Sequence, residues 1–145
     1  MTHATDMTGL EFLRRIASGD LPQAPMATLL GLEIVEVEEG RVVFAGRPAP
    51  EHYNPMGSVH GGYAATLLDS AMGCAVHSTR PAAGGYTTLE LSVNLVRAIT
   101  ADTGRVLAEG RLIHGGRRTA TAEGRLVAEE TGKLLAHGTT TCIVT

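Results

Sequence analysis

Residues 61–79 read GGYAATLLDSAMGCAVHST, and the reading of this stretch decides the fold. Wound into a helix, it carries apolar and small residues on every side. Asp69 is its one acid, and His77 its one basic group. A helix that is apolar all round is a buried helix, so another part of the chain must wrap it. Arg80-Pro81 and Gly84-Gly85 end it.

The material for the wrapping follows directly. Four strand candidates fill the last sixty residues: 87–97, 105–113, 118–129 and 133–144. In the first, Leu89, Leu91, Val93 and Leu95 alternate with Glu90, Ser92 and Asn94. The links Gly104, Gly115-Gly116 and Thr131-Gly132 are short and glycine-rich, which predicts an antiparallel meander. Upstream, 32–38 and 41–47 read as a hairpin across Glu39-Gly40. Leu32 and Ile34 are out of phase with Val35 and Val37, which predicts a bulge or a two-faced strand. Residues 48–59, with three prolines and a glycine, read as a loop. Thr8 and Glu11 match a capping box, and Leu10, Leu13, Ile16 and Ala17 keep helical spacing over 8–18. Pro25 to Leu30 adds a turn or two, stopped by Gly31. The expectation is an α+β chain: a short N-terminal helix and a long antiparallel sheet of about six strands wrapped around one buried central helix. It would be one domain over 1–145, with 1–23 as a helical extension.

Composition bounds the function. With 145 residues, 43% of them hydrophobic, the chain can fill one core and not two. A net charge of −3 offers no basic face for nucleic acid. The N-terminus mixes acid and base early and has no long apolar run, so neither a signal peptide nor a membrane anchor is expected. A cytoplasmic, reduced protein follows. Cys74 and Cys142 lack metal-type spacing, as do His52, His77, His114 and His137, so no metal is expected. Ser58 and Ser70 lack a nucleophile-elbow motif.

Asp69 is the most informative residue. Burying an unpaired carboxylate costs several kcal/mol. It must therefore be hydrogen-bonded, hold its proton, or open on a cleft. The bland alternative is an Asp capping a neighbouring loop. At the start of the same helix stands His60-Gly61-Gly62. A helix N-terminus presents unpaired N–H groups and the positive end of the dipole, and glycines let a ligand approach the backbone. That suits polarising a carbonyl and stabilising an oxyanion. Gly62 and Asp69 share a helix face but lie two turns, ~10 Å, apart. One carbonyl cannot meet both on one helix; a second helix from another subunit removes the difficulty. Arg117 and Arg118 follow Gly115-Gly116 in a tight turn and, with Arg97, could form a basic site for a phosphorylated ligand. The plain alternative is a pair of solvated turn arginines.

The stretch NPMGSVHGGYAATLLDSAMG, 54–73, resembles the signature of the PaaI-type hotdog thioesterases. There Asn, Gly, His-Gly-Gly and an Asp nine residues after the His recur in this arrangement. SVNLVRAI, 92–99, and GRVLAEGRLIHGGRRTA, 104–120, are similar to that family's C-terminal half. The resemblance covers about 30–144 and implies the hotdog fold, with active sites shared between subunits of a homodimer or homotetramer. It implies hydrolysis of an acyl-CoA or aryl-acyl-CoA. The Gly61 N–H, alone or with that of Gly62, would polarise the thioester carbonyl. The partner subunit's Asp69 would act as nucleophile or general base. Asn54 would position the water or the carboxylate, and His60 would hold the loop or the thioester region. Thr88, with Thr87 beside it, aligns with a hydroxyl residue that assists the water. Gly62, Arg97, Arg117 and Arg118 would serve CoA, whose phosphates meet this region in the family. No cofactor is implied, because CoA is part of the substrate. Two other readings compete: a hotdog enoyl-CoA hydratase or dehydratase, and a non-catalytic acyl-CoA-binding module. The His-to-Asp spacing speaks against the first and the intact Asp69 against the second.

Overall fold

The decisive stretch forms helix α3, Gly61–His77, in the computed structural model of the protein, which describes residues 3–145. Leu67, Leu68, Ala71, Met72, Ala75 and Val76 are fully shielded from solvent. Their burial is what the all-round apolar composition demanded.

Ahead of α3 come α1 (Gly9–Ser18), α2 (Pro25–Leu30), β1 (Glu33–Glu38) and β2 (Arg41–Gly46). Behind it come β3 (Tyr86–Leu95), β4 (Val106–Gly115), β5 (Thr119–Ala128) and β6 (Leu134–Val144). The six strands form one antiparallel sheet that curls around α3. The capping box is present: Glu11 N–H donates to Thr8 Oγ1, and Thr8 N–H donates to the Glu11 carboxylate. The expected irregularity in β1 is a bulge between Ile34 and Glu36.

The meander is only partly realised. Strands β4, β5 and β6 run consecutively, but the order across the sheet is β1-β2-β4-β5-β6-β3. So β3 pairs with β6 at the far edge and never with β4. The reason is the link between β3 and β4. Residues 96–105 are too many for a tight hairpin. They contain a 3-10 turn, Ala101–Thr103, and the buried Ile99. They are also stitched to the loop before α3: Val59 N–H donates to Ile99 O, and Ala101 N–H to Tyr53 Oη.

Two glycines, Gly110 and Gly124, let α3 lie close to the sheet, and Gly138 lets β6 approach the Ser92 carbonyl of β3. Gly110, Gly124 and Gly138 are register partners side by side on β4, β5 and β6. A Cβ on Gly110 would sit 2.3 Å from the Ala71 carbonyl oxygen, and one on Gly124 would sit 2.9 Å from Met72 Cγ. We expect Gly110→Ala to destabilise the fold by about 3 kcal/mol or more, because rigid helix backbone cannot yield. Gly124→Ala should cost less, since Met72 can re-pack. Denaturant midpoints at constant slope measure both.

The outer face of the sheet is charged. Arg41 bridges Glu36 and Glu109, and Arg105 bridges Glu33 and Glu129. Among the described residues, no helix is long and apolar enough to cross a membrane.

Candidate functional site

One face of α3 is left uncovered. Gly62, Thr66, Asp69 and Ser70 follow one another along it at helical spacing and are at least partly accessible. Asp69, half-buried there, is not orphaned: Thr88 Oγ1 donates a hydrogen bond to Asp69 Oδ1 at 2.8 Å. The choice between Thr87 and Thr88 follows from strand alternation. Thr88 turns toward α3, whereas Thr87 is exposed. A bulge between Thr88 and Glu90 interrupts β3 immediately after this contact.

The helix N-terminus is built by its own cap. His60 Nδ1 accepts from the Gly62 N–H at 2.8 Å, so Nδ1 carries the lone pair and the ring proton is assigned to Nε2. Tyr63 N–H donates to His60 O. The Gly61 N–H has no partner among the described residues. Of the two N–H groups expected to meet a carbonyl, that of Gly62 is taken by the cap and that of Gly61 is not.

Asn54 is engaged in its own turn. Its Oδ1 accepts from Met56 N–H at 2.9 Å and Ser58 N–H at 3.3 Å, and its Nδ2 donates to Ser58 Oγ at 3.1 Å. The amide ties the 54–58 turn that leads into α3. A short polar side chain that reaches its own following backbone commonly does this.

The three arginines are not brought together within one chain, contrary to the basic site expected of them. Arg97 N–H donates to Leu135 O at one end of β6, while Arg118 O accepts from Val144 N–H at the other. Those points are ~30 Å apart along the strand. The cause is topological. β3 and β5 flank β6 and run parallel to each other, so the end of one is remote from the start of the other.

Cys74 lies on α3 just beyond Ser70. Burial pushes its thiol up to about 12, and the negative charge of Asp69 adds to this, against a bond with Tyr86 that lowers it. A thiol so placed stays protonated at neutral pH and packs rather than attacks. Burial, with the positive charge of Arg80, lowers the His77 imidazole.

Beside Asp69 opens a cleft of about 390 Å³ between α1, α2 and the uncovered face of α3. Phe12, Ile16, Ala24, Phe44, Ser70 and Tyr86 are among the residues that line it. The sequence motifs gave no sign of it. The i, i+4 pair Phe12 and Ile16 was the available signal. Among the described residues no cluster of three or more His, Cys, Asp or Glu could hold a metal ion.

This geometry has counterparts. A family model described as the thioesterase superfamily matches residues 56–135. Human acyl-coenzyme A thioesterase 13 is 27% identical over 136 residues, covering 92% of this chain and 94% of that protein. A conserved protein of Pseudomonas aeruginosa has a solved structure that is 31% identical, with a TM-score of 0.78 over 85% of this chain and 95% of that one. The phenylacetic acid degradation protein PaaI of Thermus thermophilus, solved as a mutant, is 32% identical, with a TM-score of 0.74 over 83% and 98%.

Proposed function

This chain belongs to the thioesterase superfamily, in its PaaI-type hotdog branch, and is a thioester hydrolase acting on acyl-CoA; from that premise we propose that Asp69 and the Gly61 N–H carry the chemistry across a dimer. The observation that supports the reading best is the Asp69 carboxylate, held by Thr88 on the one open face of an otherwise shielded helix.

The thioester carbonyl oxygen accepts the unpartnered Gly61 N–H at the positive end of α3. Negative charge developing there is stabilised by that donor and by the helix dipole. Asp69 then either takes a proton from water as the water attacks, or attacks the carbonyl itself to form a mixed anhydride that water hydrolyses after CoA has left, freeing the acid and restoring the carboxylate. The C–S bond breaks and CoA leaves as a thiolate, a good leaving group that needs no metal. Thr88 orients the carboxylate. His60 keeps the helix start in place through its bond to Gly62.

Two turns of helix separate Gly61 from Asp69 in one chain, so the partner subunit's Asp69 completes each site. Strand β3 offers the means. Leu89 and Leu95 are each 59% exposed and Val96 49%, on an edge strand whose outer side has no neighbour among the described residues. The opposite edge, β1, is blunted by Glu33, Glu36 and Glu38 and by its bulge. Antiparallel pairing of two β3 strands would continue the sheet and set two α3 helices side by side. It would also bring Arg97 within three strand spacings, ~14 Å, of the partner's Arg118, and so rebuild a CoA phosphate site.

Release of free thiol from a panel of acyl-CoAs tests the activity. Water addition to enoyl-CoA without thiol release would overturn it. Thr88→Val should lower kcat by roughly tenfold or more, the value of one hydrogen bond to a charged group. Thr88→Ser should keep most of the activity, and Thr87→Val nearly all.

A further inference from the structure

We propose that the N-terminal helices α1 and α2 form the wall of the acyl pocket and select uncharged, apolar acyl groups of medium size. This rests on the hydrolase reading above and adds what that reading leaves open, the element that chooses the acyl group.

The cleft is lined by the neighbours of Asp69 on α3, not by Asp69 itself. Ser70 is the residue after Asp69 and Thr66 lies one turn before it, and both line the cleft. Tyr86, two residues before Thr88 on the same face of β3, lines it too. A thioester carbonyl beside Asp69 has this space within about one helical turn, ~5 Å. The far wall comes from Phe12, Ile16 and Ala24, all upstream of the matched family segment 56–135. That wall is firmly seated. Gly9 N–H donates to Arg80 O at 3.0 Å, and Gly9 packs so close to the His77 carbonyl that no Cβ would fit.

The lining sets the class of group. It includes no Asp, Glu, Lys or Arg, and it gathers both phenylalanines of the chain. A second carboxylate at the end of an acyl chain would be buried there with no Lys or Arg to pair it; the polar groups within the lining are those of Gln23, Thr66, Ser70, His77 and Tyr86. A volume of about 390 Å³ falls within the usual range for small-ligand sites. At about 30 Å³ for each small group, it holds at most about a dozen non-hydrogen atoms.

The test is a series of straight-chain acyl-CoAs from acetyl to palmitoyl, with succinyl-CoA as the charged member. It is run on the wild type, on Ala24→Trp at the exposed rim, and on Phe12→Ala. For the wild type, kcat/KM should climb by roughly fourfold per methylene and then level off at medium length. Succinyl-CoA should fall at least about a hundredfold below butanoyl-CoA. Ala24→Trp should lower the decanoyl-to-acetyl ratio by about tenfold, and Phe12→Ala should extend the plateau to longer chains. Circular dichroism checks that each variant is folded. An unchanged ratio in folded Ala24→Trp, or a wild-type profile indifferent to chain length and charge, overturns this proposal and leaves the hydrolase reading standing. No hydrolysis of any acyl-CoA overturns both.

Discussion

Asp69→Asn yields a folded protein whose acyl-CoA turnover is at least about a thousandfold lower than wild type. The amide keeps the volume of the carboxylate and an oxygen that can accept the Thr88 hydroxyl, so the packing of α3 is undisturbed. What disappears is the capacity to take a proton from water or to attack a carbonyl. That capacity is exerted in the transition state, so the loss falls on kcat and leaves KM nearly unchanged. Thiol release at saturating substrate measures it, and a denaturant midpoint close to that of wild type shows that the fold is kept. Asp69→Ala should behave alike. Near-normal turnover in folded Asp69→Ala would remove this residue from the mechanism. Single turnover in heavy-oxygen water tests the nucleophilic role: label entering the Asp69 side chain marks a covalent anhydride opened at the Asp69 carbonyl.

Leu91→Asp should give a monomer with activity reduced at least about a hundredfold. Leu91 is partly exposed at the middle of β3. In an antiparallel pair of identical strands it faces the same residue, or a near neighbour, of its partner. Two carboxylates there repel and lose their water shells together. The monomer keeps its core, because Leu91 is outside it, but Gly61 and Asp69 remain two turns apart on one helix with nothing to complete either. Light scattering on the eluting peak reads the mass, and thiol release reads the activity. Leu89→Lys, at the bulge, is a second route to the same state. A fully active monomer would overturn the shared site and place all the chemistry within one chain.

Much of this was written locally. The central helix, the capped α1, the bulged β1 and all six strands follow from periodicities of a few residues, which the chain carries in itself. The sheet order does not. Nothing in the alternation of Leu89, Leu91 and Leu95 says whether β3 pairs with the next strand or with the last. That choice depends on a link anchored by Ile99 and Tyr53. The site was legible to the same extent. Asp69 and His60-Gly61-Gly62 stood out by residue type and spacing. Which glycine N–H is free, and which threonine meets Asp69, are settled by an N-cap bond and by strand facing. The bonds of Asn54 within its own turn are invisible to spacing alone. The arginines were grouped across a distance that only the topology reveals. The cleft escaped notice because it belongs to no motif: it is the space left between three helices.

The close approach of α3 to Gly110 bears on how such a protein can change over time. Since Gly110 meets the main chain of Ala71, the depth of the helix in the sheet is set largely by backbone against backbone. Side chains elsewhere in the core add stability without deciding where Asp69 stands. Leu, Ile, Val and Met can then replace one another around the helix while the carboxylate keeps its place relative to Thr88. The Asp69–Thr88 geometry is insulated from drift in the core, and that robustness to mutation rests on a very few positions where almost no substitution is tolerated.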